Sequence, residues 1–204
     1  MSSFLIPALD TCHEQVIKNS RFITWIAHAP DPVAAHRVIA RLRAAYPDAR
    51  HVCWAFIAGE PRNTTDVSCS DDGEPAGTAG KPMLNVLQHG GVGEVVAVVV
   101  RYFGGIKLGT GGLVRAYSSS VVEALKITPT HTKVALVEFQ LQCSYALEDL
   151  VRRTLANNQA GIQQVDYGDT LCLVGVCPAD GLIGLRQALA DAGRGQIVFI
   201  SEKN

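Results

Sequence analysis

The sequence lacks the features that mark several large classes of protein. Its longest uninterrupted aliphatic run, residues 95–100, is far shorter than the roughly 20 residues that cross a bilayer as a helix. The N-terminus has neither the basic region nor the long apolar stretch of a secretory signal. The formal net charge of −1 gives no basic excess of the kind that nucleic-acid modules usually carry. We therefore expect a cytoplasmic protein without membrane contact, in which any nucleic-acid binding depends on a local group of cations.

Disulfide and cysteine-metal motifs are also missing. None of the six cysteines forms a C-x-x-C pair, and Cys53, Cys143 and Cys172 lie within apolar stretches. We expect buried, reduced thiols. Hydrophobic residues make up 48% of the chain and charged residues 18%, which is typical of a compact globular protein.

Two successive patterns of strands and helices predict an α+β fold with two domains, residues 1–130 and 131–204. In the first, strands are predicted over residues 20–29, 51–58 and 94–103, and helices over 79–89, 111–126 and the segment that Asp31 caps and Tyr46 ends. Residues 128–132 are polar and indicate a linker. The second pattern has the order βαββαβ, which predicts a ferredoxin-like domain.

A glycine-rich loop follows the apolar strand of residues 94–103 and leads into a helix. This order presents backbone N–H groups to an anion, although neither standard phosphate motif is present and a simple tight turn remains the alternative. Cations near the loop could bind an anion, or could be solvated or paired internally. The candidate anion- or nucleic-acid-binding residues are Lys81, Arg101, Tyr102, Gly104, Gly105, Lys107, Gly109, Thr110, Gly111, Gly112 and Arg115.

An acidic loop lies upstream and comprises Ser70, Asp71, Asp72, Gly73 and Glu74. Clustered carboxylates suit Mg²⁺, but a solvated turn and an internal ion pair with Arg101 are open alternatives. We assign no catalytic residue, no metal ligand and no cofactor, with Mg²⁺ as an open alternative. Because the two loops have complementary charges and each precedes a predicted helix, we expect them to meet on one face of the first domain.

Long motifs in both loops resemble the YigZ/IMPACT family. They are SDDGEPAGTAGKPML at residues 70–84 and VVVRYFGGIKLGTGGLVRAY at 98–117, supported by KNSRFI at 18–23 and DARHVCWAF at 48–56. The resemblance implies a two-layer α/β first domain like domain IV of the ribosomal translocase, and a ferredoxin-like second domain like its domain V. Eukaryotic relatives act in translational control by competing for an activator of a stress-responsive kinase that phosphorylates an initiation factor. They carry an additional N-terminal protein-binding domain. This chain begins almost directly at the shared domain, so we do not expect the kinase-control role here.

Three functions are compatible with these observations. The favoured one is a non-enzymatic, translation-related regulator that binds RNA or a ribosomal or protein surface through the two loops, with Tyr102, Phe103 and Tyr117 available to stack on bases. The second is an enzyme acting on a phosphorylated or nucleotide substrate, with phosphate at the glycine loop and Mg²⁺ at the acidic loop. The third is an adaptor that binds a protein partner through residues 131–204.

Overall fold

The computed structural model describes residues 3–62 and 64–203, and the chain divides into two compact units. The first unit is Phe4–Lys133, and the second comprises Ser3 and the described residues from Val134 onward. We call them the first and the second domain. The predicted division at residue 130 falls within a strand of the first domain, Thr130–Lys133, so part of the segment interpreted as a linker is a paired strand.

A five-stranded antiparallel sheet forms the centre of the first domain, in the order β2-β3-β6-β4-β5. Strands β1 and β7 pair separately as an antiparallel ribbon. The elements of this domain are the strands Phe4–Pro7 (β1), Thr11–Ile17 (β2), Ser20–His28 (β3), His51–Ile57 (β4), Val67–Ser70 (β5), Val95–Tyr102 (β6) and Thr130–Lys133 (β7), and the helices Pro32–Ala45 (α1), Gly80–Gly90 (α2) and Thr110–Ile127 (α3).

The central strand β6 makes this domain three-layered, which corrects the two-layer expectation. All six residues 95–100 are fully buried. Because side chains alternate along a strand, Val95, Ala97 and Val99 pack towards α2 and α3, whereas the other three valines pack towards α1. A strand that is apolar on both sides needs helices on both faces of its sheet.

Predicted signals at two helix ends of this domain are confirmed. The Asp31 carboxylate accepts a hydrogen bond from the Ala34 backbone N–H at 2.7 Å, and Pro32 occupies the first helical position of α1. Helix α2 is followed by Gly91 in the left-handed conformation, with φ 69°. Strands β1, β2 and β5 were not predicted from the sequence because they are short or only half-buried, so no clear apolar alternation marks them.

The second domain has the predicted ferredoxin-like order. Its sheet is antiparallel with the strand order β11-β8-β10-β9, and both helices pack on one face around Phe139, Leu141 and Leu173. Its elements are Leu136–Cys143 (β8), a 3-10 turn at Tyr145–Leu147, Glu148–Asn157 (α4), Gly161–Tyr167 (β9), Leu171–Pro178 (β10), Leu182–Ala192 (α5) and Val198–Lys203 (β11).

Candidate functional site

The acidic and glycine loops meet at one edge of the five-stranded sheet, as predicted. Strands β5 and β6 lie on either side of β4 and both run antiparallel to it, so their C-terminal ends point to the same edge. The acidic loop follows β5 and the glycine loop follows β6. Across the junction, Arg101 Nη1 donates to Glu74 Oε1 at 2.6 Å.

A buried polar network joins the two loops. The side chains of Arg101 and Glu74 are only 7% and 4% exposed. The Tyr117 hydroxyl donates to the same Glu74 oxygen at 2.8 Å, and the Arg101 Nη2 lies 3.4 Å from the Ser20 Oγ. The guanidinium of Arg101 also lies over the Phe22 ring, 5.5 Å from its centroid. Arg101 therefore links the loops to each other and to β3.

The nucleophilic groups of this network are held in their protonated forms. Burial raises the pKa of the Cys53 thiol to about 12, against a smaller lowering by the Tyr117 hydroxyl. Burial likewise raises the pKa of Tyr117, and the neighbouring Cys53 and Glu74 raise it further. Cys53 therefore remains a thiol near neutral pH. It donates a hydrogen bond to the Asp71 backbone carbonyl, with 2.9 Å between the sulfur and the oxygen, which is a structural role.

Asp71 caps the start of helix α2. Its carboxylate accepts hydrogen bonds from the backbone N–H groups of Gly77, Ala79 and Gly80 at 2.7–2.9 Å. Burial alone would raise the pKa of Asp71, but these three donors outweigh burial and hold the pKa below its usual value. This helix start is therefore already occupied by an anion that the protein itself supplies.

The other carboxylates of the acidic loop also have protein partners. Asp72 accepts from Arg43 Nη2 at 2.8 Å and from the Val52 backbone N–H at 2.7 Å, whereas Glu74 faces Arg101. The three carboxylates thus point to three different places. Among residues 3–62 and 64–203, no three or more His, Cys, Asp or Glu side chains are grouped so that they could hold a metal ion.

The start of helix α3 is open by comparison. Gly109 precedes the helix with φ 74° and has no side chain to cap the first-turn N–H groups. A cavity of about 390 Å³ lies beside this helix start, and the exposed side chains of Arg50 and Lys107 line it. The other residues that line the cavity are His51, Glu74, Pro75, Arg101, Phe103, Leu108, Gly109, Thr110 and Leu113.

Two glycines of the loop are required by the chain's own geometry. A Cβ at Gly104 would lie 2.0 Å from the Asn19 carbonyl carbon, a contact that no side chain could make. Gly109 has a left-handed φ that residues with side chains rarely adopt. These two glycines are therefore required for the conformation of the loop itself, independently of any ligand.

The structure divides the predicted site residues among several places. Arg101, Lys107, Gly109 and Thr110 line the 390 Å³ cavity together with Glu74. Lys81 instead lines a separate cavity of about 950 Å³ between α2 and α3. Gly112 and Arg115 line a third, of about 260 Å³. The Tyr102 hydroxyl donates to Asp48 at 2.8 Å. The remaining candidates, Ser70, Gly73, Gly104, Gly105 and Gly111, do not line the 390 Å³ cavity.

Two polar residues that line the cavity, Arg50 and His51, were not among the predicted site residues. His51 is the first residue of β4 and is the register partner of Arg101 on β6, and its Nδ1 lies 2.9 Å from the Asp72 backbone carbonyl. The available signal was the stretch DARHVCWAF at residues 48–56, which carried the family resemblance but no obvious chemistry.

None of the helices in the described part of the chain is long and apolar enough to span a membrane.

Comparisons with known proteins agree with the fold and with the motifs. The Impact N-terminal domain matches residues 18–125, and a domain of unknown function, DUF1949, matches residues 141–196. The chain is 45% identical over 201 residues to the IMPACT family member YigZ of Escherichia coli, covering 98% of both chains. A solved structure described as that of a hypothetical protein is 45% identical and covers 98% of both chains, with a TM-score of 0.69. Protein IMPACT of Xenopus laevis is 36% identical over 103 residues, which is 48% of this chain and 32% of that protein. The chain therefore belongs to the IMPACT family.

Proposed function

We propose that this chain is a non-enzymatic, translation-related regulator that binds RNA, free or on a ribosomal surface, through the cavity between the glycine and acidic loops. The observation that carries the proposal is the open N-terminus of α3, which shares this cavity with Arg50, Lys107 and Phe103. Family membership supports the translation-related part, because the YigZ/IMPACT resemblance implies translational control for the eukaryotic relatives.

Electrostatics favour an anionic ligand at this place. The N-terminus of a helix carries a partial positive charge of about half an elementary charge, and uncapped N–H groups point outward from it. Among the described residues, Arg50 and Lys107 have no ion-pair partner. Of the three acidic-loop carboxylates, Glu74 lines this cavity and is paired with Arg101, whereas Asp72 is paired with Arg43 and neither Asp71 nor Asp72 lines the cavity.

An aromatic ring beside the cations favours RNA over a simple anion. Phe103 is 54% exposed and lies at the cavity. Base stacking on an exposed aromatic ring contributes about 1–3 kcal/mol per base in single-stranded complexes. A cation, a helix start and a ring within one cavity match the backbone and base of unpaired RNA.

A second candidate function is an enzyme that acts on a phosphorylated or nucleotide substrate. The cavity volume of about 390 Å³ favours it, since small-molecule sites begin at about 300 Å³. We prefer the binding role because Cys53 and Tyr117, which belong to the polar network of the ion pair, are held protonated by burial. The third function, a protein adaptor, would use the second domain, where exposed Leu136, Ile183 and Ile200 offer apolar contacts to a partner.

The test is the affinity for single-stranded RNA of about 12 nucleotides, measured by fluorescence polarisation at several salt concentrations. We expect wild-type binding that weakens steeply with salt. Lys107→Ala should weaken it and reduce the steepness of the salt dependence by about one unit. Lys81→Ala is the matched control, because it removes the same charge from a different cavity of the same domain. No binding by the wild type at low salt would overturn the RNA proposal.

A further inference from the structure

We infer that the cavity beside α3 receives one nucleotide with a terminal phosphate, with the phosphate at the start of α3 and the base on Phe103. This inference rests on the proposed function and names the ligand of the same site. The phosphate monoester is the shared chemistry of two sources, the phosphorylated end of an RNA strand and a free nucleotide.

The inner wall of the cavity supplies the first argument. Arg101 lines the cavity with a side chain that is 93% buried, since only 7% of it is exposed. Its Nη1 is bound to Glu74, but its Nε is buried and has no hydrogen-bond partner among the described residues. A buried N–H without a partner costs free energy, so this arginine at the cavity wall retains one unused donor for a ligand oxygen that packs against its side chain.

The charge balance supplies the second argument. Three cations, Arg50, Arg101 and Lys107, line the cavity together with one carboxylate, Glu74. The start of α3 adds partial positive charge. A phosphate within a strand carries a single negative charge. A terminal phosphate carries about 1.5–2 negative charges at neutral pH and therefore matches this surplus better.

The shape of the cavity supplies the third argument. The buried Arg101–Glu74 ion pair forms the inner wall, so a ligand approaches from the exposed side, where Arg50 and Lys107 lie. The volume of about 390 Å³ is near the lower limit of small-molecule sites, which suits one nucleotide rather than several.

Phe103 places the base. Arg101 lies against the Phe103 ring, with its guanidinium carbon 5.7 Å from the ring centroid, yet the residue is 54% exposed. The ring is therefore held by a cation while much of its surface remains accessible to a base. Aromatic and guanidinium planes are the usual stacking partners of unpaired bases.

The experiment compares short single-stranded RNAs that differ only in their ends: 5′-phosphorylated, 3′-phosphorylated and unphosphorylated. Adenosine 5′-monophosphate and adenosine are measured in parallel by calorimetry. We expect a phosphorylated end to bind about tenfold tighter than the unphosphorylated RNA, as one added charge-assisted contact implies. Lys107→Ala should reduce this preference, because it removes a cation from the phosphate site. Phe103→Ala should weaken the binding of both kinds of RNA, Phe103→Tyr should retain it, and Lys81→Ala should leave the preference unchanged.

The outcomes separate this inference from the proposed function. Equal affinity for phosphorylated and unphosphorylated RNA, with Lys107→Ala still weakening both, overturns the terminal-phosphate pocket and leaves RNA binding intact. Binding of adenosine 5′-monophosphate without binding of any RNA supports the pocket, identifies a free nucleotide as its ligand and overturns the RNA proposal. Absence of binding by every ligand overturns both.

Discussion

Helices α2 and α3 both begin after glycine-containing loops at the same region of the first domain, but their starts differ. At α2, the Asp71 carboxylate accepts three backbone hydrogen bonds, and residues 78–80 are buried. At α3, Gly109 offers no capping side chain, and Thr110 and Gly111 are exposed. One helix start is completed by the protein's own carboxylate. The other has no such group, which makes it available to an external anion.

Two cations at this region differ in the same way. Arg101 is buried and bound to Glu74, whereas Lys107 is exposed on the wall of the same cavity. Two cations that line the same cavity can therefore have different roles. Arg101 holds the loops in place through Glu74 and leaves only its Nε without a partner among the described residues, whereas the Lys107 ammonium has no ion-pair partner there.

The largest expected effect follows from removing the buried counter-charge. Glu74→Ala leaves Arg101 buried without its carboxylate, and we expect a loss of about 3–5 kcal/mol in the free energy of unfolding. The matched control is Glu123→Ala, which breaks the exposed pair with Lys126 and should cost less than about 1 kcal/mol. Urea denaturation of both variants gives the comparison. Equal losses would show that the Arg101–Glu74 pair does not hold the loops together.

The cap of α2 should have a smaller, pH-dependent effect. Asp71→Asn removes the charge that faces three N–H donors, and we expect a loss of about 1–2 kcal/mol at pH 7. Because the folded-state pKa of Asp71 is lowered, its stabilisation is present above the unfolded-state pKa and is lost as pH falls through the folded-state value. The difference between variant and wild type should therefore shrink below about pH 4. A difference that is constant from pH 7 to low pH would contradict the charged cap.

Arg50 should affect binding and leave stability unchanged. Arg50→Ala removes an exposed cation from the cavity, and we expect a several-fold loss of RNA affinity with a change in unfolding free energy within about 0.5 kcal/mol. The control is Arg37→Ala, since this exposed arginine lies on α1, which packs on the other face of the sheet. Equal losses of affinity in both variants would indicate non-specific attraction instead of a site at α3.

The smallest effect is expected at Gly111. It lies in the first turn of α3, and the nearest heavy atom to a new Cβ would be Arg115 Nη1 at 3.9 Å. Gly111→Ala should therefore raise the unfolding free energy by up to about 0.5 kcal/mol, since alanine favours helix. RNA affinity should be retained, because the backbone N–H remains. A large loss of affinity would show that the ligand approaches this Cα more closely than we propose.

Sequence patterns predicted the parts of the fold that repeat along the chain. The apolar run of residues 95–100 identified the buried central strand, and the order of elements after residue 131 identified the ferredoxin-like sheet. Residues 130–132 of strand β7 are polar and exposed, which is typical of a linker, and their strand conformation becomes evident only from the pairing with β1. The third layer was missed because no local signal says which face of a sheet a helix will cover.

For the candidate site, complementary charge predicted the meeting of the two loops but not the roles within it. Lys81, Lys107 and Arg115 have the same kind of charge in the sequence, yet they line three different cavities. The direction in which a side chain points depends on how its element is rotated and packed, and charge alone does not predict it. His51 reaches the site through the pairing of β4 with β6, and Arg50 directly precedes it in the chain.

The most direct test of the central claim is a titration of the isotope-labelled protein with single-stranded RNA, followed through its backbone amide resonances. Our account predicts that the amides of Thr110, Gly111 and Gly112, at the open start of α3, shift with increasing RNA. Those of Gly77, Ala79 and Gly80 are bound to Asp71 and should remain in place. Shifts at the start of α2, or shifts confined to the second domain, would contradict it.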